Sequence, residues 1–247
     1  MPARFLVSVA ALLLSACDAA GAQDKPPIPA NILLFTGTGT SPGDVAALRQ
    51  LMSASHLDFA TANSQQVDKM SAADLAAYKL VIMPGGNFED MGNNLSKGAT
   101  EQIRTAVRGG VNYLGICAGA FIAGDSPYNG INLTDGKRFG FYSAENHGIR
   151  KAAVRISIAG ALPAEHYWED GPQLSGWGDV VARYPDNMPA IVEGQAGRGF
   201  MILAGVHPEA PESWRRGLSF STSASDDNAY AVTLIKAAMS GQRLPHD

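Results

Sequence analysis

Short, almost uninterrupted apolar blocks, divided by glycine-rich turns and amphipathic stretches, set the pattern of this chain. Residues 31–36 (Asn-Ile-Leu-Leu-Phe-Thr), 79–83 (Lys-Leu-Val-Ile-Met) and 111–116 (Val-Asn-Tyr-Leu-Gly-Ile) are such blocks. Continuous apolarity over so few residues suits a strand covered on both faces. Residues 57–61 make a weaker strand. Helical patterns lie between them, at residues 44–52 and 99–108, the second with Ile103 and Val107 four apart on one face. Ser71-Ala72-Ala73-Asp74 has the form of a capping box, and Gly109-Gly110 stops the helix before it. Strands alternating with helices predict an α/β fold with parallel strands joined by right-handed crossovers. Ligands on such sheets bind at the carboxyl ends of the strands.

The second half changes rhythm. Residues 140–144, 152–158, 179–184, 190–193 and 199–204 are short strand candidates with Gly/Pro punctuation, predicting a more antiparallel extension. Residues 211–217 and 228–239 are expected to close the domain as helices. No internal repeat is evident.

The first thirty residues stand outside this pattern. Arg4, an apolar run from Phe5 to Leu14, and Leu14-Ser15-Ala16-Cys17 have the layout of a cleaved export signal over residues 1–16. The run is about half of the ~20 residues needed to span a bilayer. The small residues ending in cysteine resemble a bacterial lipoprotein signal, with Cys17 as the acylated first residue of the mature chain. That places the expected location in the cell envelope, lipid-anchored on the periplasmic or extracytoplasmic face. Residues 17–30 then serve as anchor and Pro-rich tether, and residues 31–241 form the folded domain. Asp18, after the acylated position, resembles an inner-membrane retention signal of enteric bacteria.

Net charge is −4, from 19 Lys and Arg against 23 Asp and Glu, with no basic cluster, so nucleic acid is not an expected partner. The chain has two cysteines. If Cys17 is lipidated, Cys117 is the remaining thiol and no intramolecular disulfide forms. A lone thiol in an exported protein is exposed to oxidation, which is easier to understand if it is buried or used.

Cys117 ends an apolar block in Gly115-Ile116-Cys117-Ala118-Gly119, and Gly205-Val206-His207-Pro208-Glu209 follows about ninety residues on. A thiol on a tight strand-to-helix turn with His-x-Glu downstream is a layout for covalent catalysis. Gly115 and Gly119 allow a sharp turn and close approach of neighbours. A helix starting at Ala118 would lower the thiol's pKa. His207 is the candidate base, with Pro208 holding it extended so that Glu209, two residues on, points to the same side. Oxyanion donors are expected from the Ala118 amide and an amide of the Gly85-Gly86 turn. Singly, each feature also reads as a buried small hydrophobe, a helix start or an ordinary turn. Aromatics such as Tyr113, Phe121, Tyr167, Trp168 and Trp177 are candidates for lining a pocket. His166 and His147 lack zinc-ligand spacing and are expected in polar loops near its mouth; no metal and no cofactor is predicted.

These residues resemble the class I glutamine amidotransferase-like superfamily. Gly115 to Gly119 are similar to its nucleophile motif, His207-Pro208-Glu209 to its His-x-Glu and Gly85-Gly86 to its oxyanion loop. Within it, Pro84-Gly85-Gly86, residues 115–121, Tyr167-Trp168-Glu169-Asp170-Gly171-Pro172, Ala182-Arg183-Tyr184 and residues 205–209 look most like the biotin-protein ligase N-terminal domain family. The resemblance covers about residues 31–217. It implies a flavodoxin-like, mostly parallel sheet with helices on both faces. It also implies a catalytic triad of Cys117, His207 and Glu209, an oxyanion hole from Gly86 and Ala118, and substrate contacts from Gly85, Phe121, Tyr167 and Trp168. Glutamine-hydrolysing members usually carry Gln four residues after the nucleophile, where this chain has Phe121, and no synthetase or ligase domain follows.

The leading expectation is an envelope hydrolase or amidotransferase-like enzyme acting on a small-molecule or peptide amide or ester. The alternative is a non-catalytic module that binds a small molecule in the same pocket. Beyond the membrane anchor, the sequence names no protein partner.

Overall fold

The computed structural model describes residues 30–142 and 150–246. Five parallel strands form its centre: β1 (Ile32–Phe35), β2 (Phe59–Ala62), β3 (Leu80–Met83), β4 (Asn112–Ile116) and, much later in the chain, β11 (Gly199–Ala204). Their spatial order is β2-β1-β3-β4-β11, every neighbouring pair parallel. This is the flavodoxin-like order 2-1-3-4-5. The expected mostly parallel α/β sheet is therefore present, with an antiparallel extension on one side.

Side-chain alternation splits the core in two. Ile32, Leu34, Leu80, Ile82, Leu114 and Ile116 join Leu48 and Met52 of α1 (Pro42–Ala54) and Leu234 and Ile235 of α7 (Ala224–Ser240). Leu33, Phe35, Val81, Met83 and Tyr113 meet the opposite layer, which includes Ile103 and Val107 of α5 (Lys97–Arg108). Each fully buried aliphatic side chain of this kind is worth about 1.5–3 kcal/mol. Two apolar faces explain why the strands read as blocks rather than alternating patterns. Three short helices lie on the path between the strands: α2 (Ser64–Asp68), α3 (Ala72–Leu75) and α4 (Phe88–Asn93). The capping box at Ser71 is present, with Asp74 returning to the Ser71 amide. A sixth helix, α6 (Ala118–Ala123), follows β4 directly.

Beyond β11 the sheet continues antiparallel through β10 (Pro189–Ala196), β9 (Asp179–Arg183), β6 (Lys151–Ile158) and β7 (Ala164–Glu169), making nine strands. A small ribbon pairs β5 (Gly140–Phe141) with β8 (Pro172–Gln173). β7 returns toward the centre: His207 N–H donates to the Tyr167 carbonyl at 2.8 Å. Gly171 lies so close to Gly205 that an added Cβ would stand 1.9 Å from its carbonyl oxygen.

Three expectations are corrected. Residues 211–217 form successive turns, closed by Trp214 N–H to Pro211 O and Arg215 N–H to Glu212 O, and not a helix. The Arg215 guanidinium bonds instead to the Thr222 carbonyl and pairs with Asp227. His166 lies in strand β7, fully buried, 3.4 Å from Asp227, rather than in a polar loop. The strand expected at 140–144 is β5 alone as far as it is described; His147 lies outside the described residues. No described helix is long and apolar enough to cross a membrane. Cys17 and the signal and tether segments also lie outside the described residues.

Candidate active site

Four loops leave the carboxyl ends of β1, β3, β4 and β11 on one side of the sheet: residues 36–41, 84–87, Cys117 and residues 205–209. They meet around a cavity of about 490 Å³.

Cys117 holds the turn between β4 and α6 with φ 49°. A non-glycine residue in the left-handed region is uncommon and carries strain, usually of about 1–3 kcal/mol. The expectation that the flanking glycines make the turn is thus refined. Cys117 bends the chain, while the glycines let neighbours approach. A Cβ on Gly119 would stand 1.9 Å from the Met83 carbonyl oxygen, and one on Gly115 2.5 Å from that of Gly119. Tyr113, fully buried beneath, donates its hydroxyl to the Gly119 carbonyl at 2.7 Å. The thiol is nearly buried and donates to the Glu169 carbonyl, 3.6 Å away. No hydrogen bond joins it to His207, although both side chains line the cavity.

His207 comes from the opposite half of the chain. Its Nδ1 is 2.8 Å from Glu209 Oε1. The Glu209 contact does not come from an extended stretch, as expected. Pro208 and Glu209 form a turn closed by Ala210 N–H to His207 O at 3.2 Å. A second carboxylate meets the same nitrogen: Asp44 Oδ1, on the first turn of α1, at 3.1 Å. All three side chains are buried. With Nδ1 between two carboxylates, Nε2 is the ring nitrogen left for the cavity.

The charges are balanced against burial. Desolvation pushes His207 toward neutrality, but Glu209 and Asp44, then Cys117, raise its pKa well above the ordinary value. Burial raises the Glu209 carboxyl, partly opposed by His207. For Asp44 burial acts upward too, yet the imidazole and hydrogen bonds bring the net shift down. The three donor groups lie within 4.8 Å of one another. Tetrahedral zinc with ligand bonds near 2.0–2.1 Å separates its donors by roughly 3.3 Å. The shorter 2.8 Å contact is a hydrogen-bond length, so a proton is the natural occupant.

The expected oxyanion donors are the Gly86 and Ala118 amides. Neither Gly86 N–H nor Ala118 N–H has an acceptor among the described residues. Gly86 has φ 144°, and a Cβ there would stand 2.1 Å from the Gly39 carbonyl oxygen. The backbone on either side is pinned to the loop after β1 by Ser41 N–H to Gly85 O and Asn87 N–H to Gly39 O.

Of the residues expected to contact substrate, Phe121 lines the cavity, stacked on Phe88 at 4.5 Å. Gly85, Tyr167 and Trp168 do not. Gly85 packs beneath Asp44 and His207. Tyr167 is buried behind His207, its hydroxyl donating to Glu169 at 2.5 Å. Trp168 faces the other core layer, against Tyr142. Tyr113 is likewise a core residue, and Trp177, half-buried, packs against that core. The wall is instead completed by Phe88, Phe141 and Trp214, with Asp44, Glu169 and Asp170. Asp44, Phe88, Phe141 and Trp214 carry no motif signal of their own and only convergence of distant loops reveals them, whereas Glu169 and Asp170 belong to the 167–172 segment that carries the resemblance.

Comparison with known proteins agrees with this architecture. Residues 30–131 match the family model for the biotin-protein ligase N-terminal domain. This stretch includes β1 to β4, the Gly85-Gly86 loop and Cys117. A curated biotin–protein ligase of Schizosaccharomyces pombe is 25% identical over 214 residues, covering 72% of this chain. The match spans 33% of that ligase, so the chain corresponds to about a third of its relative's length. Among solved structures, a cytoplasmic protein of Salmonella typhimurium superposes with TM-score 0.52 at 11% identity, over 83% of this chain and 98% of the other. A putative GMP synthase component from Thermoplasma acidophilum does so with TM-score 0.50 at 11% identity, over 84% and 98%. These structural likenesses show a shared α/β fold.

Proposed function

We propose that the domain is a cysteine-nucleophile hydrolase or amidotransferase-like enzyme that acts on an amide or ester through an acyl-thioester. The observation that carries this reading is the strained Cys117 turn opening onto the same cavity as His207, whose Nδ1 is fixed by Glu209 at 2.8 Å. The Cys117 thiolate adds to the substrate carbonyl carbon, forming a C–S bond and moving the π electrons onto oxygen. The Gly86 and Ala118 amides stabilise that oxyanion; one such donor is typically worth about 3 kcal/mol. Collapse breaks the bond to the amine or alcohol, which leaves with a proton from the His207 imidazolium. Neutral His207 then takes a proton from water as it attacks the thioester, the acid departs, and the thiolate is restored.

The Glu169 contact describes a resting thiol. Substrate entry would exchange that bond for the pairing with Nε2, since apo sites are often looser than reacting ones. A non-catalytic binding module is the second reading. It is favoured by the absence of a sulfur–imidazole hydrogen bond and by the aromatic wall of Phe88, Phe121 and Phe141.

Intact-protein mass spectrometry with activated esters and amide panels tests the first reading. It predicts an acyl adduct on Cys117 that decays with turnover and is absent from Cys117→Ala. A protein that binds such compounds but never forms the adduct belongs to the second. We place the domain at the envelope surface on a lipid attached to Cys17, as the residues before it suggest; failure of Cys17→Ser to shift the protein out of the detergent phase on partitioning would refute this.

A further inference from the structure

Asp44 begins as an ordinary helix residue. It stands three positions after the N-cap Ser41, where an acidic side chain commonly returns to the cap amide or favours the helix dipole. Here that amide is taken: Ser41 N–H donates to the Gly85 carbonyl at 3.0 Å. The Asp44 carboxylate turns inward instead and lies 3.1 Å from His207 Nδ1, nearly buried. Oδ1 has no hydrogen-bond donor within ordinary geometry among the described residues, the shorter contact of Nδ1 being to Glu209. Leaving a buried carboxylate oxygen without a donor costs free energy unless a positive charge compensates it.

Gly85 shows that the approach is built in. A Cβ there would stand 2.2 Å from Asp44 Oδ1 and 2.7 Å from His207 Cε1. Any side chain at this position would come between α1 and the imidazole. The loop after β3 thus contributes the gap through which a carboxylate from α1 reaches a histidine that follows β11.

We propose that Asp44 is a second positioning residue of the site, acting with Glu209 to hold His207 as an imidazolium with Nε2 toward Cys117. Its role in a reaction rests on the function proposed above; its coupling to His207 does not. The groups facing this imidazole are Glu209 from its own loop, Asp44 from α1, Cys117 from the β4–α6 turn, and Tyr167 from β7, whose hydroxyl is committed to Glu169. Trp214 adds an apolar edge. Two carboxylates on one nitrogen favour the protonated ring more than one does, which widens the pH range over which the imidazolium persists.

The test follows the His207 ring by NMR across pH in the wild type, Asp44→Asn and, should that fold poorly, Asp44→Ser. Removing the charge is expected to lower the His207 midpoint by about one unit or more, a tenfold loss of proton affinity. An unmoved midpoint, with only a lower melting temperature, would assign Asp44 to helix capping and overturn the proposal. Failure of wild-type Cys117 to form an acyl adduct would instead count against the proposed enzyme, whatever the midpoint does.

Discussion

His207 is the residue on which most of the electrostatics converge. Its folded pKa is raised above the unfolded value of about 6.5. The stability gained from its charge is therefore fully present below about pH 6.5, and is lost as pH rises through the raised folded value. Substituting His207 by Gln leaves Asp44 and Glu209 buried without a cation. Breaking such a pair costs about 3–5 kcal/mol. Chemical denaturation should show the wild-type advantage over His207→Gln to be largest in mildly acidic solution and smaller at alkaline pH; a difference that grows with pH would contradict the assignment. At this scale Cys117, His207 and Glu209 were legible in the sequence because thiol, imidazole and carboxylate occur in recognisable local motifs. Asp44 was not, since an acid in the first turn of a helix has an adequate local explanation. Its real partner lies 163 positions further on.

The elements divide along similar lines. β1, β3, β4 and α5 follow from apolar blocks and a four-residue period, because burial on two faces or one leaves an unambiguous imprint. β7 was missed. Its Glu165, His166, Tyr167 and Trp168 mix charge and aromatics, and the packing of His166 on Tyr230 and beside Asp227, both distant in sequence, is invisible to any local window. The turns at 211–217 failed in the opposite sense. Residues of fair helix propensity there yield to Trp214 covering His207 and to Arg215 reaching Thr222 and Asp227. Seating of α6 on β3 is the element contact on which the nucleophile depends. Gly119→Ala would set a methyl against the Met83 carbonyl and force the helix outward. Overpacking of this kind typically costs about 1–3 kcal/mol. Thermal melts should register that loss, with the rate of Cys117 alkylation falling as the turn relaxes; an unchanged melt and rate would mean that α6 is not held there.

At the scale of the whole molecule, one half of the chain supplies the thiol and its turn, and the other supplies the base. The parallel order β4-β11 brings their carboxyl ends together, while β7 returns to support His207 and to place the Glu169 carbonyl against the sulfur. The central claim is that this convergence makes Cys117 a nucleophile served by the His207 imidazole. Iodoacetamide labelling of the native domain across pH, read at Cys117 by mass spectrometry, tests it most directly. The account predicts that Cys117 of the native domain is labelled without denaturant and that labelling slows markedly in His207→Gln. Labelling at the same rate in both proteins, or labelling that requires denaturant, would contradict it.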